Sequence, residues 1–310
     1  MALLILRRAA LMLATMLVVS ALIFLLLEFD VDSVAVKVLG PFSTQEQRNI
    51  WLEVNGYTDP ALTRYLRWLG SILQGDFGDS LRFRRPVGEV LWPRLANTGL
   101  LAAIVLSTMA LLGLSLGVLA GVHEGRLLDR VVSVTSVVTT SIPEFASAVF
   151  LSAVFVFWLG WLPGTSGMAA GFDPWQLVLP VMVLVTYGFG YIARLTRASM
   201  AEVMRSNYVR TARLKGLSHW SVVMRHALRN ALIAPYTVIV LQINWLLSGV
   251  IVVEFFFAYK GFGALLLEAS LFQDIYMVQA CAIIAVAVAV ISQAISDIGY
   301  AVLNPRIRVG

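Results

Sequence analysis

The sequence predicts an all-α integral membrane protein of six transmembrane helices, with a long external segment after the first and a basic loop between the fourth and fifth. Three observations carry this. Of 310 residues 59% are hydrophobic and only 13% charged, with a mean hydropathy of +0.83; a soluble domain carries roughly a quarter charged residues. The apolar residues fall into runs long enough to cross about 30 Å of hydrocarbon. Between residues 194 and 229, eight Lys or Arg stand against one acid, Glu202, an excess that marks the cytoplasmic side of a membrane.

The first span is 9–27, preceded by Arg7 and Arg8. A positive start before an apolar run also describes a signal peptide, but the run is long and no small-x-small cleavage site follows before Asp30. Residues 1–27 therefore read as a tail and a retained span. Residues 28–95 are polar, with eight Lys or Arg and nine acids; loops this long escape the positive-inside rule, so an external location is allowed. Within them Tyr65, Leu66, Leu69, Ile72 and Leu73 recur at helical spacing around Trp68, the pattern of an amphipathic helix lying at the outer interface. Gly75 to Ser80 is a turn cluster.

The remainder, 96–310, holds the other spans. The second is 96–122, with Gly113 and Gly117 at a spacing that permits close helix approach. A short turn, 123–130, leads to a third span from Val131, interrupted by Ser141-Ile142-Pro143-Glu144-Phe145. Pro143 should kink the helix, and Glu144 at membrane depth needs a partner or water. Aromatic residues from Trp158 to Pro163 close this span, and the following hairpin to Pro174 lacks Lys and Arg, as an external loop would. The fourth span is 175–191, the fifth 231–257 and the sixth 276–302. Six spans with basic residues near both ends put both termini in the cytosol.

The basic loop reads as a helix–Gly–helix elbow. Ser206 or Asn207 caps a helix over 208–215, Gly216 follows where a helix needs a left-handed residue to stop, and Ser218 caps a second helix running into the fifth span. Such an elbow is suited to docking a soluble partner.

Thr211-Ala212-Arg213-Leu214-Lys215-Gly216-Leu217 and Arg225-His226-Ala227-Leu228-Arg229-Asn230-Ala231-Leu232-Ile233 resemble the EAA loop of ATP-binding-cassette (ABC) importer permeases, specifically the dipeptide/oligopeptide/nickel branch and its first permease. Gly75-Asp76-Phe77-Gly78-Asp79-Ser80 with Arg85-Pro86-Val87, Glu254 with Gly261 and Gly263, Gln273-Asp274 through Gln279, and Asn304-Pro305-Arg306-Ile307-Arg308 resemble further elements of that family. Lys260 stands where the family usually has Pro, and Glu28-Phe29-Asp30-Val31 replaces its usual Pro-Gly-Asp-Pro.

The resemblance implies a transport subunit of the bacterial inner membrane that is not itself an enzyme. It pairs with a homologous second permease, two cytoplasmic ATPases that hold ATP and Mg, and an extracytoplasmic substrate-binding protein. The loop 194–230 would receive an ATPase. Tyr208, Arg210, Thr211, Ala212, Arg213, Lys215, Gly216, Leu217, His226 and Leu228 are the candidate coupling residues, the small ones allowing close approach and the cations pairing with acids. A basic loop that sets topology and meets lipid phosphates is the plainer reading of the same charges.

Gln242, Asn244 and Ser248 are candidates for the pathway wall or for hydrogen bonds between helices. Glu254 is a candidate external gate or a structural partner. Asp297, an intramembrane acid, reads as an ion-pair partner of an arginine or as a proton relay. With Glu254 it defines the alternative, a stand-alone ion-coupled transporter. The chain has no Gly-x-x-x-x-Gly-Lys-Ser/Thr segment to cradle nucleotide phosphates. His123, His219 and His226 lack metal-ligand spacing, and Cys281 excludes an intramolecular disulfide. Topology accounts for the +5 net charge without nucleic acid.

Overall fold

The computed structural model describes residues 2–28, 31–169 and 171–303, with side chains described for all of these except 2–9, 28, 31, 244, 247–249 and 296–303. Its elements are α1 (Ala2–Glu28), α2 (Val31–Leu39), α3 (Gln45–Val54), α4 (Ala61–Leu73), α5 (Val87–Val122), α6 (Leu127–Ser141), α7 (Glu144–Ser152), continued by the π-helical Ala153–Trp158, then α8 (Trp175–Met204) and α9 (Asn207–Leu214). There follow α10 (His219–Ser221), the π-helical Val222–Ala227, α11 (Leu228–Ala231), α12 (Ile233–Phe256), α13 (Phe262–Leu271) and α14 (Ile275–Leu303). The chain forms two compact units, Met1–Asn97 with Gly261–Ile291, and Thr98–Lys260 with Ser292–Gly310.

In the first unit the polar segment expected as a loop holds α2 and α3 as well as the amphipathic α4. Helix α3 starts at a reciprocal cap: Gln47 N donates to Thr44 Oγ1 at 3.3 Å and Thr44 N to Gln47 Oε1 at 3.0 Å, satisfying two of the amides a helix start leaves open. Helix α4 lays Tyr65 and Trp68 on Phe24 of α1, ring centroids 5.5 and 5.6 Å away. Its Leu62, Leu66 and Leu73 stay exposed, an apolar face suited to the lipid boundary. The turn after α4 uses left-handed glycines, Gly75 at φ +83° and Gly78 at φ +79°. Helix α5 begins at Val87, well before the expected 96, directly after Pro86, and continues through Pro93, which cannot donate a helical hydrogen bond. Val87, Leu91, Phe262, Leu265, Met277 and Cys281 form a buried cluster.

The second unit is built around α8, which continues as a helix thirteen residues past the span end expected at 191. A seam of small residues on α5 lets α8 come close. A Cβ added to Gly113, Gly117 or Gly121 would stand 2.7, 2.5 or 2.6 Å from the Cβ of Ile192, Thr196 or Met200, two matched rows at four-residue spacing. The segment expected as the third span departs from a simple kink: α6 and α7 meet at 101°, far more than a proline alone bends a helix. Ile142 and Pro143 between them are extended (ψ 124° and 145°), so the helix is broken.

Among the described residues four helices are long and apolar enough to cross a membrane, within 10–27, 87–122, 175–204 and 275–295, and the bent pair α6–α7 makes a fifth if taken as one span. Helix α12 has 24 residues with Glu254 as its one charged side chain.

Candidate functional site

Helix α9 is a short amphipathic element. Ser206 begins it with extended backbone (ψ 152°), and its hydroxyl turns back to Val203 O at 2.6 Å. Val209 and Ala212 are buried with Met200, Val222, Val223, Ala227 and Ala231. Ala212, expected to face an incoming partner, therefore anchors the helix to its own unit. Tyr208, Arg210, Thr211, Arg213 and Lys215 lie on the exposed side, and Tyr208 accepts a hydrogen bond from Asn230 Nδ2 at 2.9 Å.

The helix ends as its sequence predicts. Gly216 has φ +77°; its N–H bonds Arg213 O at 3.0 Å and the Leu217 N–H bonds Ala212 O at 3.4 Å. This paired closure needs a left-handed residue at position 216. A Cβ there would meet nothing within 4 Å, so the requirement is conformational and not steric. Past Ser218 the chain is helical again, and the π-helical turn carries Arg225 and His226 outward while Leu228 is half-buried.

Three features of this surface were not read from the sequence. Leu214, Trp220 and Met224 are 80%, 53% and 57% exposed, giving the cationic face an apolar component. Asp129, nearly buried, accepts two hydrogen bonds from Arg197, each 2.7 Å long, and one from Gly125 N at 2.9 Å. Arg205 likewise grips Glu124, with its shorter contact at 2.6 Å. The α5–α6 connection is thus tied to the end of α8 that leads into α9. Bidentate contacts between an arginine and a carboxylate fix geometry as well as adding energy.

Of the pathway and gate candidates, the side chains of Gln242 and Glu254 are described. Gln242 is buried, its Nε2 without a hydrogen-bond partner among the described residues and 2.9 Å from where a Cβ on Gly188 would be. Glu254 is fully buried and accepts from Thr98 Oγ1 at 2.5 Å, a helix-to-helix tie between α12 and α5. The side chains of Asn244, Ser248 and Asp297, and the whole of 304–308, lie outside the described residues.

The family described as binding-protein-dependent transport system inner membrane component matches residues 113–309. The chain is 32% identical over 315 residues to the oligopeptide transport system permease protein AppB of Bacillus subtilis (strain 168), covering 99% of this chain and 100% of that protein. It is 34% identical over 305 residues to the glutathione transport system permease protein GsiC of Salmonella paratyphi A, covering 98% of each.

Proposed function

The chain belongs to the family of binding-protein-dependent transport system inner membrane components, the permease subunits of ABC importers, and from that premise we propose that it carries peptides or related small solutes as half of a heterodimeric pathway. The names of its relatives, an oligopeptide and a glutathione permease, support the solute class. They support the importer over an ion-coupled carrier working through Asp297 and Glu254.

In this reading six spans place both termini in the cytosol, with α12 as the fifth and α6–α7 as a broken third. Two ATPases, holding ATP and Mg, dock on the loops of this chain and of a second permease, and a substrate-binding protein delivers solute from outside. The observation that carries the coupling role is α9: an exposed row of Tyr208, Arg210, Thr211, Arg213 and Lys215 held by buried Val209 and Ala212. The cations match acidic side chains in an ATPase groove, Leu217 and Leu214 add apolar contact, and His226 and Leu228 support the elbow from the second helix. Movement of the ATPases then reaches the spans through α8 and the Asp129–Arg197 link, giving alternating access.

The test is co-expression with the neighbouring permease and candidate ATPases, followed by affinity purification through this chain. Wild type is expected to retain an ATPase and to support ATP-dependent peptide uptake in vesicles. Wild type purifying without an ATPase, while the second permease keeps one, sinks the reading.

A further inference from the structure

Glu144 opens α7 directly after the 101° break. It is half-buried, and among the described residues it makes no hydrogen bond or ion pair. The dipole of α7 favours its charged form but supplies no counter-ion. Helix α7 packs on both α8 and α12, and Thr140, four residues before Glu144, lies against α8 between Tyr187 and Tyr191, where a Cβ on Gly190 would stand 2.8 Å from Thr140 Cγ2. Near the middle of both helices, Tyr187 of α8 stacks on Trp245 of α12, centroids 5.0 Å apart and 21° from parallel. Tyr191, one turn on and 36% exposed, meets Tyr187 edge-on at 5.7 Å. Packing alone would explain the rings. It does not explain an unpaired carboxylate within an apolar span, which is costly unless something meets it.

We infer that Glu144, Tyr187, Tyr191 and Trp245 form this chain's recognition point for a positively charged amino group on the translocated solute. The inference rests on the importer reading above and adds a chemical requirement to it. The carboxylate supplies the opposite charge, and aromatic faces attract cations most strongly where water is scarce. These rings already have cationic company: the guanidinium of Arg194 lies 5.9 Å from the Tyr191 centroid. A peptide's terminal ammonium has the charge and size for the position, whereas an acylated terminus has no charge to offer.

The test uses the complete complex in proteoliposomes, with trialanine and N-acetyl-trialanine each presented on saturating, loaded binding protein so that its own preference drops out. Wild type is expected to move trialanine about tenfold faster than the acetylated probe. Glu144→Gln should erase that ratio, Glu144→Asp should restore most of it, and Trp245→Leu should reduce it. The same ratio in wild type and Glu144→Gln, or no preference in wild type, overturns the inference and leaves the importer reading standing. A Glu144→Gln complex that sheds its second permease makes Glu144 an interface residue and overturns it equally. Absence of ATP-dependent uptake of both probes by wild type overturns the peptide reading, and the inference with it.

Discussion

Arg197 grips Asp129 through two nitrogens at 2.7 Å each, and this contact joins the start of α6 to the end of α8 that leads into α9. The Asp129 side chain is 6% exposed and that of Arg197 30%, so the pair is partly screened. Removing one partner of a fully buried pair costs about 3–5 kcal/mol, and partial exposure lowers that here to roughly 2–3 kcal/mol. Asp129→Asn should therefore lower the thermal midpoint in detergent and weaken the link between ATP hydrolysis and uptake. Glu124 lies 3.7 Å from Arg197 and should hold part of the charge, so Glu124→Gln with Asp129→Asn should lose more than the two single changes together. Strict additivity in stability and in uptake per ATP would remove Glu124 from the link.

Gly216 makes a sharper prediction, because its surroundings are open. At φ +77° with nothing near a new Cβ, a substitution is penalised by backbone conformation alone. Asn tolerates the left-handed region, and β-branched residues do not. Gly216→Asn should keep most of the ATPase retained by wild type in a pull-down, and Gly216→Val should lose most of it while both insert in the membrane at wild-type levels. Equal retention by the two variants would mean that the turn is not what presents α9.

Asp274, fully buried, accepts from Ser80 Oγ at 2.5 Å, from Arg82 N at 3.1 Å and from Met277 N at 3.2 Å. It pins the turn at Ser80 and Arg82 to the first residues of α14. Ser80→Ala leaves two backbone donors and should cost about 1–2 kcal/mol, and Asp274→Ala, which frees all three donors, should cost more. Two probes suit this unit. Trypsin can cut after Arg82 and Arg84 once the turn loosens, and the buried thiol of Cys281 reacts with maleimide only when the unit opens. Both rates should rise in the order wild type, Ser80→Ala, Asp274→Ala; unchanged rates would show the carboxylate to be dispensable.

The sequence made local features legible and hid those made by distant partners. The stop at Gly216 could be read because a glycine follows an amphipathic turn. The close approach at Gly113 and Gly117 was readable from spacing. The capping box of α3 was equally present in Thr44 and Gln47, yet polar composition made residues 28–95 look like a loop, and α2 and α3 went unread. The inward turn of Ala212 depends on the cluster beneath α9, which only the folded chain defines. Asp129 and Arg197 are 68 residues apart, and nothing local to either announces the other. At Pro143 the sequence implied a bend, but two successive extended residues are what turn a kink into a break.

The glycines of α5 separate steric from conformational need within a single helix. A Cβ on Gly117 would lie 2.5 Å from Thr196 Cβ and 2.7 Å from Ala193 O, and a backbone oxygen cannot step aside without moving α8. A Cβ on Gly99 would meet nothing within 4 Å. In a helix interior, alanine is favoured over glycine by about 0.5–1 kcal/mol when it fits. Gly99→Ala should therefore raise the thermal midpoint of the purified complex slightly. Gly117→Ala should lower it by the equivalent of about 1–3 kcal/mol, the usual cost of overpacking, and should reduce uptake because α8 carries α9. If both alanines stabilised the protein, α5 and α8 would not be in the close contact that the seam describes.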